Sequence, residues 1–343
     1  MANVGYLPFG PQKAATLGNG VQLTDSYDAD YRLIGRQAVG ATTLQSLTLG
    51  YDGASNITAI TDLVAASLSQ TYQYDLVGRV KQGTGGWGTD NYTYDALGNR
   101  LTRNLVNSAT TAISYTYTAA NTRLATAVTG ATTLSYAYDA NGALLTRKIG
   151  NAAQSTYTYN ADARLATSGA NAFKYNAFGQ RSVQTVSGGG THFLFSPAGL
   201  LLAEHSVTGT KVRDYIYLNG QPFAVVDSAG TLNYILNDQV GQPQKMLSAS
   251  VTVTWQRVSG IFGDTVTQLA GSTAANPLRF PGQQFDPATP LNYNYYRDCD
   301  TATGRYIETD PIGLQGGMNV YVYALANPIR FTDPNGLETI WEH

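Results

Sequence analysis

Charge is scarce in this chain. Only 13% of its 343 residues are Asp, Glu, Lys or Arg, against about a quarter in ordinary globular proteins. The 21 basic and 23 acidic side chains nearly cancel, to a net charge of −2. So weak a field offers no footprint for nucleic acid or for an acidic membrane surface. Cysteine is almost missing too: Cys299 stands alone, so no internal disulfide can form, and a redox centre or metal cluster lacks a ligand set. The histidines, His192, His205 and His343, are scattered without metal-ligand spacing and read as structural or solvated. There is no Gly-rich phosphate loop and no nucleophile elbow; Gly188-Gly189-Gly190 reads as a hairpin turn. No apolar run is long enough to span a bilayer, and the start, Met1 to Gly10, has neither the basic nor the apolar stretch of a secretory signal. No cofactor, metal, nucleic-acid partner or membrane span is expected.

Tyrosine and glycine fill the space that charge leaves, with 24 and 36 residues. A disordered chain would have the opposite balance, rich in charge and poor in aromatics. The tyrosines are ordered by a repeated phrase: an aromatic, Asp or Asn, two residues, Gly, then often Arg and an aliphatic residue. Its clearest copies are Tyr74-Asp75-Leu76-Val77-Gly78-Arg79-Val80, Tyr94-Asp95-Ala96-Leu97-Gly98-Asn99-Arg100 and Tyr138-Asp139-Ala140-Asn141-Gly142. Weaker copies start at Tyr27, Tyr51, Tyr117, Tyr159, Tyr175, Phe195 and Tyr217, and the pair at Tyr74 and Tyr94 is 20 residues apart. A period of that length signals an array of supersecondary units.

Each unit reads as strand, turn, strand. A second aromatic precedes the phrase at a spacing of two, as in Tyr72/Tyr74, Tyr92/Tyr94, Tyr115/Tyr117, Tyr157/Tyr159, Phe173/Tyr175 and Tyr215/Tyr217. Period two puts both rings on one face of a strand. The Asp or Asn can accept from turn N–H groups, Gly supplies positive φ, and the residues after it begin the return strand. Stacked hairpins would then align the rings in cross-strand ladders, each aromatic pair contributing about 0.2–1 kcal/mol. The expected fold is all-β: an array of hairpins in a curved or spiralling sheet. Residues 1–26 form a lead-in, 27–236 the repeats and 237–276 a transition, and a distinct C-terminal cap spans 277–343.

Within that last segment one phrase is written twice, Asp310-Pro311-Ile312-Gly313-Leu314 and Asp333-Pro334-Asn335-Gly336-Leu337. Alone, either is a turn, with Asp first, Pro second and Gly fourth. Brought together, two such carboxyls can share one proton, because each negative charge raises the pKa of the other, and the pair can then activate a water.

The company these phrases keep is more specific. Leu291-Asn292-Tyr293-Asn294-Tyr295-Tyr296-Arg297-Asp298, Gly304-Arg305-Tyr306-Ile307-Glu308-Thr309-Asp310, Gly316-Gly317-Met318-Asn319-Val320-Tyr321 and Asn327-Pro328 precede the closing Asp333-Pro334-Asn335-Gly336-Leu337. Together with the hairpin phrases they resemble the RHS (YD-repeat) proteins and the related Tc-toxin C components. The resemblance implies a partial hollow β-sheet shell closed by an RHS core cap, with a toxin encoded after the core as the enclosed cargo. It also implies that the cap is a single-turnover aspartyl autoprotease. Carried over by motif, Asp310 and Asp333 are its catalytic pair, Arg305 is the partner that holds a carboxylate in place, and the scissile bond joins Leu337 to Glu338. The tail from Glu338 to His343 is too short to be a toxin, so the cargo is expected to be absent from this chain. The sheet edges are expected to meet an upstream shell or a second copy. Synthesis in a bacterial cytoplasm, with export or surface association by a dedicated secretion system, is what the same likeness implies. Cys299-Asp300-Thr301 departs from the family's usual Tyr-Asp-Pro, and Pro290 stands where Gly is common. The alternative is a non-catalytic scaffold, or a surface module whose tyrosines bind glycans.

Overall fold

In the computed structural model, which describes residues 2–8, 10–118, 121–268 and 271–341, the chain is almost entirely β. Met1, Phe9 and His343, named above, lie outside the described residues. From Ala2 to Gln268 the chain forms one 26-stranded sheet. Each strand pairs antiparallel with the next in sequence, from Ala2–Tyr6 on Gln12–Thr16 to Val253–Ser259 on Thr265–Gln268. The ladder takes in the lead-in and the transition as well as the repeats. Turns there, such as Ser248–Thr252 and Gly260–Asp264, reverse the chain without the Tyr signature, because strand pairing needs only backbone and alternation.

The hairpin chemistry is the one the phrase predicts. At Asp75 the carboxylate Oδ1 accepts from the N–H groups of Val77 and Arg79 at 3.1 and 3.0 Å, while Oδ2 accepts from Arg79 Nε at 2.6 Å. Gly78 closes the turn at φ +84°. The two backbone N–H bonds to the side-chain oxygen recur at Asp28, Asp52, Asp95, Asn160, Asn176, Asp227 and Asp238, and the bond from Arg Nε recurs at Asp28. Just before the second aromatic the ladder slips by one residue: Gln73 faces Gln82, but Tyr74 faces Val80. Such bulges add twist, and their recurrence at Tyr27, Tyr51, Tyr117 and Tyr159 lets the sheet coil.

The tyrosines depart from the expected ring ladder. The first of most pairs is buried, as at Tyr72, Tyr92, Tyr115 and Tyr157, and Tyr136 is half-buried. The second ring sends its hydroxyl back across the sheet to a backbone carbonyl. Tyr51 reaches Leu33, Tyr74 Ile57, Tyr94 Val80, Tyr117 Arg100 and Tyr159 Leu144, at 2.6–2.9 Å. Arginines rather than neighbouring rings then cover the faces: Arg79 lies 4.8 Å from the Tyr94 centroid and Arg181 4.1 Å from that of Phe173. A hydroxyl buried among rings needs an acceptor, and the preceding strand supplies one. The repeat tyrosines are therefore bound into the sheet as structural groups.

The coil brings the early strands against the late ones. Leu17, Val21 and Ala38 share a core with Phe223, Tyr234, Leu236 and Leu247, and Lys245 Nζ donates to the Leu44 carbonyl at 3.0 Å. The contact is made by side chains, without a backbone ladder, so the sheet stays unclosed.

The cap is a separate four-stranded antiparallel sheet, Gln284–Asp286, Leu291–Asn294, Arg297–Asp300 and Arg305–Tyr306, followed by turns and a short ladder of Phe331–Thr332 with Ile340–Trp341. It sits along the row of hairpin turns and bonds to successive ones. Asn327 Nδ2 reaches the Gly78 carbonyl at 2.9 Å, Asn319 Nδ2 the Asn99 Oδ1 at 3.0 Å and the Tyr321 hydroxyl the Gly142 carbonyl at 2.7 Å. Further along, Arg164 Nη1 donates to the Tyr295 carbonyl at 2.6 Å and Arg181 clasps Asp298 at 2.8 Å. Leu291 and Ile307 add apolar contact with Leu144, Tyr157 and Phe173. Shell and cap thus fix each other's position.

Candidate active site

The two Asp-Pro phrases meet. A single nitrogen, Arg297 Nη2, lies 2.9 Å from Asp310 Oδ2 and 3.0 Å from Asp333 Oδ2. All three side chains are buried, at 3, 7 and 2% exposure for Arg297, Asp310 and Asp333. Arg297 is placed by a two-residue hairpin in which Asn294 faces Arg297 and Tyr295 takes φ +53°. Its guanidinium stacks 3.7 Å from the Tyr306 centroid, and its Nε and Nη1 donate to the carbonyls of Gly336 and Val320 at 2.6 and 3.2 Å.

Asp333 is held by three donors. Oδ2 accepts from the Tyr306 hydroxyl at 2.8 Å as well as from Arg297, and Oδ1 accepts from the Leu337 N–H at 2.9 Å. Asn294 Nδ2 donates to the Asp333 carbonyl at 2.8 Å and to the Tyr306 oxygen at 2.6 Å, steadying both. Asp310 is freer: Oδ1 accepts from the Ile312 N–H at 3.0 Å, while Oδ2 meets Arg297. That oxygen crowds the point where a Cβ on Gly316 would stand, and the Leu337 carbonyl oxygen is 3.2 Å from the same point. The carbonyl of the expected scissile bond therefore lies beside Asp310, and Gly316 leaves the gap open.

Burial pushes both carboxyls above their usual range, with Arg297 pulling each back and the Asp333 charge raising Asp310 further. A pair in this state holds a proton more firmly than free carboxyls do. Burial also drives the Tyr306 hydroxyl far above its ordinary value, so it stays a donor to Asp333. On either side, Asp298 and Glu308 are likewise raised by burial, and Glu308 Oε2 accepts from the Asp298 N–H at 2.9 Å.

Arg305 is not part of this group. Its guanidinium lies 5.2 and 4.9 Å from the ring centroids of Tyr117 and Tyr321, and it donates to the Thr122 carbonyl of the shell. The reason is strand geometry: adjacent residues point to opposite faces, so Tyr306, which reaches Asp333, turns Arg305 away. The bridging position belongs to Arg297. Sequence reasoning also missed Tyr306 and Asn294, since nothing in their spacing tells an inward from an outward residue of so short a strand. Glu338 follows the site as an exposed residue. His192 and His205 are register partners on neighbouring strands, a juxtaposition their spacing had hidden.

The family model of the teneurin YD-shell matches residues 12–329. The chain belongs to the YD-shell family. Among curated relatives it is 37% identical over 161 residues to double-stranded DNA deaminase toxin A of Burkholderia cenocepacia, covering 40% of this chain and 11% of that protein. It is 33% identical over 131 residues to toxin protein Tse5 of Pseudomonas aeruginosa, covering 37% of the chain and 10% of the relative. Its fold matches the Photorhabdus luminescens Tc holotoxin pore structure with a TM-score of 0.81 at 21% identity, over 98% of this chain and 19% of that one. This YD-shell chain thus spans about a tenth of the two curated relatives' length and about a fifth of the Tc chain, and its architecture is that of the Rhs and Tc toxin shells. Among the described residues no helix is long and apolar enough to cross a membrane.

Proposed function

We propose that the cap of this YD-shell cuts its own backbone between Leu337 and Glu338. The observation that carries the reading is Arg297 gripping Asp310 and Asp333 with one nitrogen beside the Leu337 backbone. Asp310 carries the shared proton on the oxygen facing the Leu337 carbonyl, and Asp333 is the ionised partner. A water adds to the carbonyl carbon, giving its proton to Asp333, while Asp310 protonates the carbonyl oxygen. Collapse of the resulting diol breaks the C–N bond, and the nitrogen of Glu338 leaves with a proton from the pair. Tyr306 and Arg297 hold the negative charge and its position, and the fold presents the bond, so proximity replaces substrate binding.

The purpose of such a cut is release. Relatives named as toxins have about nine-tenths of their length outside the matched region, and we infer that the shell encloses a C-terminal toxin freed by this scission. The edge strands Ala2–Tyr6 and Thr265–Gln268 would join an upstream shell or a second copy. The inward repeat tyrosines favour this over glycan binding. Intact-mass analysis of wild type beside Asp310→Asn and Asp333→Asn tests the assignment: the wild type should end at Leu337 and both variants should stay whole with unchanged circular dichroism. Cleavage at Leu337 in either variant would remove that aspartate from the mechanism.

A further inference from the structure

Where the cap meets the shell, two guanidinium groups are buried with no acid to neutralise them. Arg100 begins a return strand of the shell and is 6% exposed. Its Nε and Nη1 are buried and make no hydrogen bond, and its faces are covered by Tyr92 and Phe262 at 4.5 and 4.1 Å. The nearby carboxylates are taken: Arg103 holds Asp90 at 2.7 Å and Asp264 at 2.8 Å. Arg305 of the cap, 8% exposed, meets rings and the Thr122 carbonyl. Among the described residues neither arginine has a carboxylate within salt-bridge distance.

Both arginines line one small cavity of about 20 Å³, together with Tyr94, Tyr117, Phe262 and Gly304. A Cβ on Gly304 would stand 3.0 Å from the Arg100 guanidinium carbon, so the shell arginine presses on the cap turn that carries Arg305. Burying unpaired charge is far costlier than burying a neutral polar group, and two like charges at one cavity add repulsion. A water would satisfy a donor but leave the charge. The volume admits a particle of water or halide size.

We infer that the seam between shell and cap binds one small monovalent anion, chloride in ordinary solution, between Arg100 and Arg305. The anion joins two elements that the backbone does not pair. The inference is independent of the self-cleavage reading, because its test measures binding and stability.

The first measurement is thermal unfolding in sodium chloride against sodium gluconate at equal ionic strength, for wild type and Arg100→Met. Chloride at a hundred times its dissociation constant should lower the wild-type unfolding constant about a hundredfold, and the variant should show no chloride dependence. Equal dependence in both proteins, or none in the wild type, would overturn the inference. Should Arg100→Met fail to fold, wild-type crystals soaked in bromide decide the matter. An anomalous peak between the two guanidinium groups supports the site, and a water-like feature without anomalous signal refutes it.

Discussion

Replacing Arg297 by Met tests the electrostatics of the site most sharply. Met keeps much of the aliphatic stem but removes the guanidinium that stacks on Tyr306 and supplies the nitrogen shared by Asp310 and Asp333. Removing one partner of a buried ion pair costs about 3–5 kcal/mol, because the charge left behind stays uncompensated. The lost bonds to the Gly336 and Val320 carbonyls add about 1 kcal/mol each. The first part depends on pH and the second does not. Both carboxyls already sit above their usual range, and loss of the cation raises them further. A carboxyl whose folded pKa exceeds its unfolded value of about 3.9 destabilises the fold at high pH and ceases to do so once it is protonated. The variant's deficit, read from urea denaturation midpoints and slopes, should therefore be largest at about pH 7.5. It should shrink to about 2 kcal/mol as pH falls through the raised folded values toward about pH 4. An equal deficit at both ends would refute the claim that Arg297 acts by neutralising the pair.

Tyr306→Phe removes a donor to Asp333 and the acceptor of Asn294; self-cleavage timed by gel after refolding should slow by about tenfold, equivalent to about 1.4 kcal/mol. Gly336→Ala forces a Cβ to within 2.5 Å of the Asn294 carbonyl oxygen at φ +75°, which should cost at least about 1 kcal/mol and displace Leu337, with cleavage lost before folding is. Asp75→Ala breaks three bonds of one hairpin turn and should destabilise by about 1–2 kcal/mol without touching cleavage. The cleavage rate against pH should be bell-shaped, falling in acid when both aspartates are protonated and in alkali when neither is. Because both values are raised, its centre should lie above that of a free carboxyl pair.

The hairpins were legible in the sequence because their chemistry is local. Asp75, Gly78 and Arg79 lie within five residues, and the bonds they make are the ones their spacing implies. The doubled Asp-Pro phrase also announced which carboxyls would meet. What spacing could not convey was facing. Arg305 and Arg297 are both arginines beside Tyr-rich phrases, and only the pairing of Arg297–Asp300 with Arg305–Tyr306 decides which points inward. The fate of the tyrosine hydroxyls was hidden for the same reason, since Tyr94 and the Val80 carbonyl it binds belong to different strands. The likeness to a family implied the reaction proposed above; strand pairing within the cap selected Arg297.

The most direct measurement is to refold the wild-type chain in water enriched in heavy oxygen and to identify its C-terminal peptide by mass. Hydrolysis by the paired aspartates predicts a chain ending at Leu337 whose new carboxylate carries one heavy oxygen atom, with no such species from Asp333→Asn. A chain that keeps the Leu337–Glu338 bond, or a labelled product that forms equally well from the variant, would contradict it.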